Sequence, residues 1–431
     1  GMTKPISDKI QSAMYNAIVG SIAQKMMAGG MPESVAMEMA KNTVEKSGGI
    51  SLGMALTVPG VFHTPHFNLG LFHESNISIT DRFNATIGLR YDFSQTEINY
   101  DTKALMAMTA KVMGKEATYT LSSHLLSNAK DDFSQLLPKF GLTYRLDNNN
   151  SNIYMSVSKG YRAGGYNIQM FSDILQTELM KNQSNAMRGD DDVPHSKEDY
   201  YKVNKTIAYK PETSWNYEVG AHINLPEHAI SFDISAYYMH VSNQQLSVMA
   251  GNYGFGRMMV NAGKSRSCGI EASVRGKAFN NHLSWMASYG LTHAVFKEYK
   301  DSVKVDGKNV VRDYKDKKVP YIPMHTIGAD VAYRLDLSGS RLESLTFGAN
   351  ISAQGRIYWD ETNSYSQPFY ALLGARVEGK IGNAVLTLWG KNITDTKYNT
   401  FAIDSSATGT RNCFAQRGYP VQIGFDVRLR L

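Results

Sequence analysis

Apolar and polar residues alternate strictly along the last part of the chain. From residue 421 to residue 431 every odd position is apolar, and every even position is polar or glycine. Successive side chains of a β-strand point to opposite faces, so this pattern predicts a strand with one apolar and one polar face. A soluble sheet can contain such a strand too. The interpretation therefore depends on how often the pattern recurs.

The alternation recurs through most of the chain, and it predicts thirteen strands including the last one. The predicted strands lie at 67–72, 83–93, 140–146, 153–157, 215–225, 230–238, 270–274, 283–291, 327–337, 345–359, 369–377, 384–388 and 421–431. Residues 50–58 alternate as well and are a candidate fourteenth strand.

Short and long connections largely take turns between these strands. Thr80–Arg82, Asp147–Ser151 and Pro226–His228 are short and polar. The long connections are roughly 95–134, 165–213, 300–317 and 396–410. This order predicts an antiparallel up-and-down sheet with hairpin turns at one rim and large loops at the other.

Two all-β architectures fit an antiparallel sheet of this kind, a soluble sandwich and a transmembrane β-barrel. The polar faces carry Asn, Ser, Thr, Gly and scattered Arg and Asp, whereas a soluble sandwich would normally expose many Lys and Glu. Several strands reach about ten residues, the length that a barrel strand needs to cross a bilayer. Aromatic residues near strand ends, such as Tyr91 and Phe93, suit membrane interfaces. The pattern favours a transmembrane β-barrel of about 13–14 strands.

Composition and charge exclude several other classes. Charged residues make up 19% of the 431 residues, and aromatics 11%, which argues against a disordered tail or a coiled coil. The net charge of +6 is too small to indicate nucleic-acid binding. No apolar run approaches the roughly 18 residues of a membrane-spanning helix. Two cysteines, Cys268 and Cys413, lie in different predicted strands or loops, and we expect thiols rather than a bridge.

The first part of the chain, residues 1–49, has a different pattern. Apolar residues recur at helical spacing between Ile10 and Met27, and a second short helix is predicted after Pro32. Gly29 and Gly30 separate the two helices. We interpret 1–49 as a helical segment from an outer loop that packs on something larger, and 50–431 as the barrel. A membrane-surface helix is the alternative, but little basic charge supports it.

Several strings, in a fixed order, resemble the carboxy-terminal barrel of the TonB-dependent outer-membrane receptors, in the iron-complex branch. The strings are Leu136–Tyr144, Tyr154–Asn167, Pro211–Gly220, Gly269–Glu271, Lys391–Tyr398 and Gly418–Pro420. The resemblance covers about residues 66–431. The helical segment has no part in it.

The resemblance implies a bacterial outer-membrane protein that takes up an iron complex or a similar scarce solute with high affinity. Its partners would be the lipid bilayer with lipopolysaccharide, the solute, and an energy-transducing inner-membrane complex reached through a plug domain inside a 22-stranded barrel. No plug pattern is found before residue 66, and thirteen strands are too few. We therefore expect a truncated receptor holding the last thirteen strands. The alternative is a smaller closed barrel that acts as a passive channel or an adhesin.

Candidate solute contacts lie where the fourth predicted strand, 153–157, leads into the long connection that begins at residue 165. Lumen-side Arg162 with Tyr161, Tyr166 and Phe171 would suit an anionic iron chelate that carries aromatic groups. This assignment depends mainly on the resemblance. Because no nucleophile elbow, zinc-protease motif or phosphate loop occurs, we expect neither an enzyme nor a bound cofactor.

Other chemistry-bearing residues have ordinary explanations that we favour. Asp190–Asp192 with His195 and Glu198 form an acidic cluster, interpreted as a solvated loop rather than a calcium site.

His63 and His66, with Met54 nearby, are a weak candidate for a transition-metal site, and we expect no metal there. Five methionines in predicted outer loops are expected to pack within the loops rather than to contact a hydrophobic ligand. They are Met106, Met108, Met113, Met170 and Met180.

Overall fold

Four helices and twenty-six strands make up the computed structural model, which describes residues 3–186, 188–249, 257–305, 308–337, 341–405 and 412–429. The helices are α1 (Thr3–Ala28), α2 (Glu33–Lys46), α3 (Met170–Ala186) and α4 (Lys197–Ile207), with one 3₁₀ turn at Pro226–His228. The strands are β1 (Ile50–Thr57), β2 (Gly60–His63), β3 (His66–Ser78), β4 (Phe83–Val112), β5 (Lys115–Arg145), β6 (Asn152–Arg162), β7 (Gly165–Tyr166), β8 (Asp192–Val193), β9 (Ala208–Tyr209), β10 (Glu212–Leu225), β11 (Ile230–Ser242), β12 (Gln245–Met249), β13 (Arg257–Asn261), β14 (Lys264–Ala278), β15 (Leu283–Glu298), β16 (Lys300–Val305), β17 (Lys308–Asp313), β18 (His325–Asp336), β19 (Ser344–Gln354), β20 (Ile357–Tyr358), β21 (Ser366–Gln367), β22 (Tyr370–Ile381), β23 (Ala384–Lys391), β24 (Asn399–Ser405), β25 (Asn412–Arg417) and β26 (Gln422–Leu429).

One antiparallel up-and-down sheet dominates the fold, as predicted. Its order is β4-β5-β6-β10-β11-β14-β15-β18-β19-β22-β23-β26, and β1, β2 and β3 all pair with β4. These three short strands therefore share one position in the sheet, which has thirteen positions. Residues 50–58 extend the first strand and do not add a fourteenth.

Two prolines divide that first strand. Pro59 lies between β1 and β2, and Pro65 between β2 and β3. Proline has no N–H to give to a ladder and is tolerated at a sheet edge. The carbonyls of both prolines still accept hydrogen bonds from β4, from the N–H of Lys103 and of Glu97, each at 3.1 Å. The three segments thus stay hydrogen-bonded to β4 across both breaks.

The sheet has one exposed apolar face, which follows from the alternation. Val331 on β18, Phe347 on β19 and Val377 on β22 are large apolar residues that are 38–49% exposed. They share a face because they are aligned in register. The opposite face of the same strands carries Asp330, Asn350 and other polar side chains.

The predicted long loop at 95–134 is wrong, because β4 and β5 continue through it as one hairpin that we call the arm. Up to Phe93 the odd positions of β4 are apolar, but from Ser94 to Ala110 the even positions are the buried ones. Beyond the main sheet other elements cover the opposite face of the strand, so the buried positions change from odd to even. Two other predicted loops also contain hairpins, β16–β17 and β24–β25. Residues 306–307 and 406–411 of those loops lie outside the described residues.

The arm supports a small core of its own, the arm core. Its largest fully buried members come from β4, β5, α3 and α4 and include Tyr100, Met106, Leu121, Phe171 and Ile207. On α3 the buried residues Phe171, Leu175 and Leu179 recur every four positions, which is the spacing of one helix face. The long connection between β6 and β10 is thereby fixed on the arm.

The first two helices pack at the tip of the arm. Val19 and Ala23 of α1 meet Ala36, Ala40 and other residues of α2, together with Ile50 of β1. The Gln11 amide also donates to the Ile50 carbonyl at 2.9 Å. None of the helices in the described part of the chain is long and apolar enough to cross a bilayer.

The sheet has two edges in the described part of the chain. β3 and β26 each pair with one neighbour, and no ladder joins them there. Thirteen antiparallel positions make the first and last strands run in the same direction, since direction alternates at each step.

Candidate solute-binding rim and lumen wall

The carboxy-terminal end of β6 extends beyond its pairing with β5. Pairing with β5 spans Asn152 to Ser158, whereas pairing with β10 continues to Arg162, opposite Glu212. The last four residues of β6 are therefore held on one side only. They form part of the rim at which the long connections emerge.

Two predicted contacts, Tyr161 and Arg162, lie on this free end. Adjacent strand residues point to opposite sides. The Tyr161 hydroxyl is buried beside Ser94 of β4, whereas Arg162 is exposed. Glu212, opposite Arg162, accepts a hydrogen bond from the Gln245 N–H at 2.6 Å. Arg162 thus presents a cation to solvent at the rim.

Gly164 lies where the chain passes close to β9. It has no positive φ, but a Cβ there would overlap the carbonyl oxygen of Tyr209 and approach the Phe133 ring to 2.7 Å. Backbone cannot yield as a flexible side chain can. The glycine is required for this close approach.

Tyr166, the third predicted contact, is anchored from behind. Its hydroxyl donates to Asp131 Oδ2 at 2.8 Å, and its ring packs against the arm core. Burial raises the pKa of Tyr166 well above its ordinary value, and the hydrogen bond to Asp131 raises it further. The phenol therefore stays neutral and acts as a donor.

Phe171, the fourth, is not at the surface. It is 1% exposed, and its ring centroid lies 4.6 Å from that of Tyr100 and 5.2 Å from that of Phe62. The structure brings Tyr161, Arg162 and Tyr166 to one rim segment. It places Phe171 beneath them, in the arm core, where a solute cannot contact the ring.

Side-chain amides form hydrogen bonds between this rim segment and neighbouring parts of the chain, and we call this set of hydrogen bonds the clasp. Gln245 Nε2 donates to the carbonyls of Ala163 (2.8 Å) and Lys210 (3.0 Å). Asn167 both donates to the Met259 carbonyl (2.9 Å) and accepts from the Met259 N–H (2.7 Å). Such paired contacts fix the loop backbone, so the rim is preorganised.

The acidic cluster predicted as a solvated loop separates into three contacts. Asp192 accepts from the Ser122 hydroxyl at 2.7 Å, and Glu198 lies 3.7 Å from Lys202. His195 is buried and lies 3.0 Å from both oxygens of Glu178. In the described part of the chain these residues do not form a group that could hold a metal ion.

The histidines at 63 and 66 also have separate neighbours. His63 pairs with Asn99, and His66 Nδ1 lies 3.2 Å from Thr96 Oγ1. Met54 packs on the arm core with Met106, Met108, Met170 and Met180. Cys268 and Cys413 lie on β14 and β25, within the described residues, and no disulfide joins them.

The polar face of the sheet holds a cavity that sequence reasoning missed. It measures about 390 Å³ and is lined by Glu218, Asp233 and Glu271, with Tyr154 and His222. The Tyr154 hydroxyl donates to Glu218 at 2.6 Å, and His222 Nδ1 lies 2.7 Å from Asp233. All five lie at polar positions of alternating strands, so aligning the registers of neighbouring strands could have revealed the group.

Comparison with known families decides what this sheet is. The family described as "TonB dependent receptor-like, beta-barrel" matches residues 54–393. The chain belongs to this family. Its sheet is therefore receptor-type barrel wall, with the apolar face outward and the polar face toward the lumen.

Relatives of this TonB-dependent receptor-like chain are distant. It is 21% identical over 366 residues to the pesticin receptor of Yersinia pestis, covering 84% of this chain and 44% of that protein. The solved ferric yersiniabactin uptake receptor FyuA from Yersinia pestis superposes with a TM-score of 0.58 at 18% identity, over 88% of this chain and 51% of that one. The siderophore receptor PiuA from Acinetobacter baumannii gives a TM-score of 0.49 at 15% identity, over 80% and 44% of the two chains.

The receptor-like chain thus spans about half the length of these relatives. The relatives are receptors and transporters rather than enzymes.

Proposed function

We propose that the chain forms the carboxy-terminal part of an outer-membrane receptor barrel, which binds an iron chelate or a similarly scarce solute and takes it up. The family match over residues 54–393 carries this proposal. The names of the relatives, a pesticin receptor and a ferric yersiniabactin uptake receptor, support the substrate class.

The solute contact that we propose is the rim segment around Arg162. An exposed guanidinium forms charge-assisted bonds with anionic groups, and the half-buried ring of Tyr166 supplies aromatic surface, while Tyr161 holds the strand end from its other side. The clasp around Ala163 and Asn167 holds the segment in place. Phe171 supports it from the arm core.

The two sheet edges support the proposal that further strands complete the barrel. Unpaired strand edges are not tolerated in lipid. Because the thirteen positions are odd in number, a fully antiparallel barrel needs an odd number of added strands. The resemblance to a 22-stranded receptor suggests nine of them, together with a plug that reaches the energy-transducing complex. The alternative of a small closed channel or adhesin would need β3 and β26 to pair in parallel.

Equilibrium binding tests the substrate class. Outer-membrane vesicles from cells that produce the complete receptor containing this chain are titrated with ferric catecholate, ferric hydroxamate, ferric citrate, haem and cobalamin, and vesicles without the receptor serve as the control. We expect saturable binding of one ferric chelate. Binding of none of the five solutes above the control would contradict the proposal.

Planar-bilayer recordings separate the receptor from the passive channel. The purified chain is expected to give no stable conductance, since each edge strand in the described part of the chain, β3 or β26, has an antiparallel neighbour on one side only. A stable open channel would support the closed-barrel alternative instead.

A further inference from the structure

An aromatic ring lies across a glycine in the last strand pair of the sheet. Trp389 on β23 pairs directly with Gly424 on β26. A Cβ on Gly424 would overlap the Trp389 indole, so the ring lies flat against the glycine backbone. Gly424 is half-buried, whereas the other residues of β26 from Gln422 to Leu429 are exposed. The ring therefore covers the one sheltered position of this strand.

Two polar contacts hold the indole in this position. Its Nε1 donates to Asp426 Oδ2 at 2.9 Å, and a hydrogen bond to a carboxylate is stronger than one between neutral groups. Lys391 Nζ lies 4.9 Å from the ring centroid, where a cation is attracted to the aromatic face. We call Trp389, Lys391, Gly424 and Asp426 the indole clamp. It joins β23 to β26 on the lumen side of the wall.

The lipid-facing side of this strand pair does not determine its register. A shift of two residues keeps every side chain on its own face and again sets apolar residues opposite one another. Contact with lipid therefore does not distinguish the shifted registers from the observed one. The outward positions are Leu386 and Leu388 on β23 and Ile423, Phe425, Val427 and Leu429 on β26.

The lumen side does distinguish these registers. After a shift of two residues, Trp389 would lie opposite Gln422 or Asp426 instead of Gly424. Either side chain would occupy the space that the ring needs, so the ring could no longer lie against the backbone. A glycine inside a strand weakens it and often marks a site where another group approaches closely. The indole clamp gives Gly424 this role only in the observed register.

Three other strand pairs contain the same arrangement. A Cβ on each glycine would come within 2.6–2.7 Å of the ring of its direct cross-strand partner. The pairs are Gly220 with Tyr154, Gly269 with Tyr237 and Gly276 with Trp285. Each of those strands has two neighbours in the sheet, whereas β26 has only β23 among the described strands. The indole clamp therefore acts without a second ladder.

We propose that the indole clamp sets the register of β26 on β23. Because strand number and stagger are linked in a barrel, this register also fixes the offset at which the strand that completes the barrel must join β26. That consequence rests on the proposed function, since it needs the further strands. The register itself can be measured on this chain alone.

A loop contact is the competing source of register. Asn392 Nδ2 donates to the Tyr419 carbonyl at 3.0 Å, just before β26 begins, and the Val421 N–H donates to Asp395 Oδ1 at 3.3 Å. These bonds fix the entry of the chain into β26. The experiment therefore compares substitutions at Trp389 and at Asn392.

Disulfide trapping measures the register. Both native cysteines are replaced by serine, Leu388→Cys is combined with Phe425→Cys, Ile423→Cys or Val427→Cys, and each chain is refolded in detergent and oxidised. Directly paired residues have Cα atoms about 4.5–5.5 Å apart, within disulfide range, whereas diagonal neighbours are about 7–8 Å apart. Bridged tryptic peptides are quantified by mass spectrometry. We expect the bridge between positions 388 and 425 to exceed each of the other two about tenfold.

Substitutions of the indole separate the indole clamp from general stability. Trp389→Leu is expected to lower this excess about tenfold, or about 1.4 kcal/mol, because both polar contacts and the packing on Gly424 are lost. Trp389→Phe, which keeps a flat ring, should retain most of the excess. Trp285→Leu makes the same change at the β14–β15 pair and is the matched control, which should leave the excess unchanged.

Four outcomes would overturn the proposal. One is an unchanged excess in Trp389→Leu, and another is an equal loss in Trp285→Leu, which would indicate general destabilisation. A loss in Asn392→Ala with none in Trp389→Leu would assign the register to the loop contact. Absence of the bridge between positions 388 and 425 while Trp389 is intact would contradict the register itself, whatever solute the receptor takes up.

Discussion

Replacing Phe171 by alanine tests whether this residue supports the rim or contacts the solute. The ring is 1% exposed and packs on Tyr100 and Phe62. Truncating a buried phenylalanine to alanine lowers stability by about 3–5 kcal/mol. Of this kind of cost, each lost aromatic pair accounts for about 0.5–1.5 kcal/mol beyond the loss of buried area. A cost of about 4 kcal/mol raises the population of the opened α3 segment about a thousandfold.

Hydrogen exchange across residues 166–209 measures this opening directly. Under conditions where exchange follows the opening equilibrium, protection of α3 should fall by about three decades. Tyr201→Ala on α4 is the matched control because that ring is 61% exposed, and it should leave protection unchanged. Unchanged protection in Phe171→Ala, together with lost solute binding, would refute the packing role and make Phe171 a contact residue.

Three further predictions concern the rim, the lumen wall and a helix cap. Gly164→Ala should loosen the rim, because the added methyl meets the Tyr209 carbonyl, and proteolysis near residue 165 should become faster. Arg376→Met should lower the urea-unfolding free energy of the reconstituted chain by about 1–2 kcal/mol, since two carboxylates within 2.8–3.1 Å lose their partner. The hydrogen bond from the Ser196 side chain holds the pKa of Asp199 below its ordinary value, so the capping box of α4 stabilises at neutral pH. That contribution should be lost as the pH falls below about 4, which amide exchange at the first turn of α4 would detect.

The alternation of apolar and polar residues predicted the membrane wall because every strand of the wall has one side that faces lipid and must be apolar. The odd positions of β4 up to Phe93 and the odd positions of β26 all face lipid. A two-residue period is therefore enough to predict these strands. The arm was missed because it extends beyond the lipid-facing wall. There other chain segments cover the face of β4 that carries its even positions. The switch from Phe93 to Ser94 could be identified only once α3 was known to cover the even positions.

The rim could be predicted in part. The predicted long connection that begins at residue 165 indicated where β6 becomes a loop, and Arg162 is exposed near that point. Phe171 lay in a segment whose helical spacing went unused, so its burial was not foreseen. The cavity lined by Glu218 and Glu271 depends on register across several strands, which spacing along one strand does not give.

The central claim, that Arg162 marks the solute-binding rim of a receptor barrel, has one direct test. The affinity of the ferric chelate selected by the vesicle titration is measured for Arg162→Gln and for Arg145→Gln, which removes an exposed arginine at the opposite rim. Loss of a charge-assisted contact is expected to weaken binding about 10- to 100-fold for Arg162→Gln and to leave Arg145→Gln unchanged. Equal affinities of the two variants for the chelate would contradict the account.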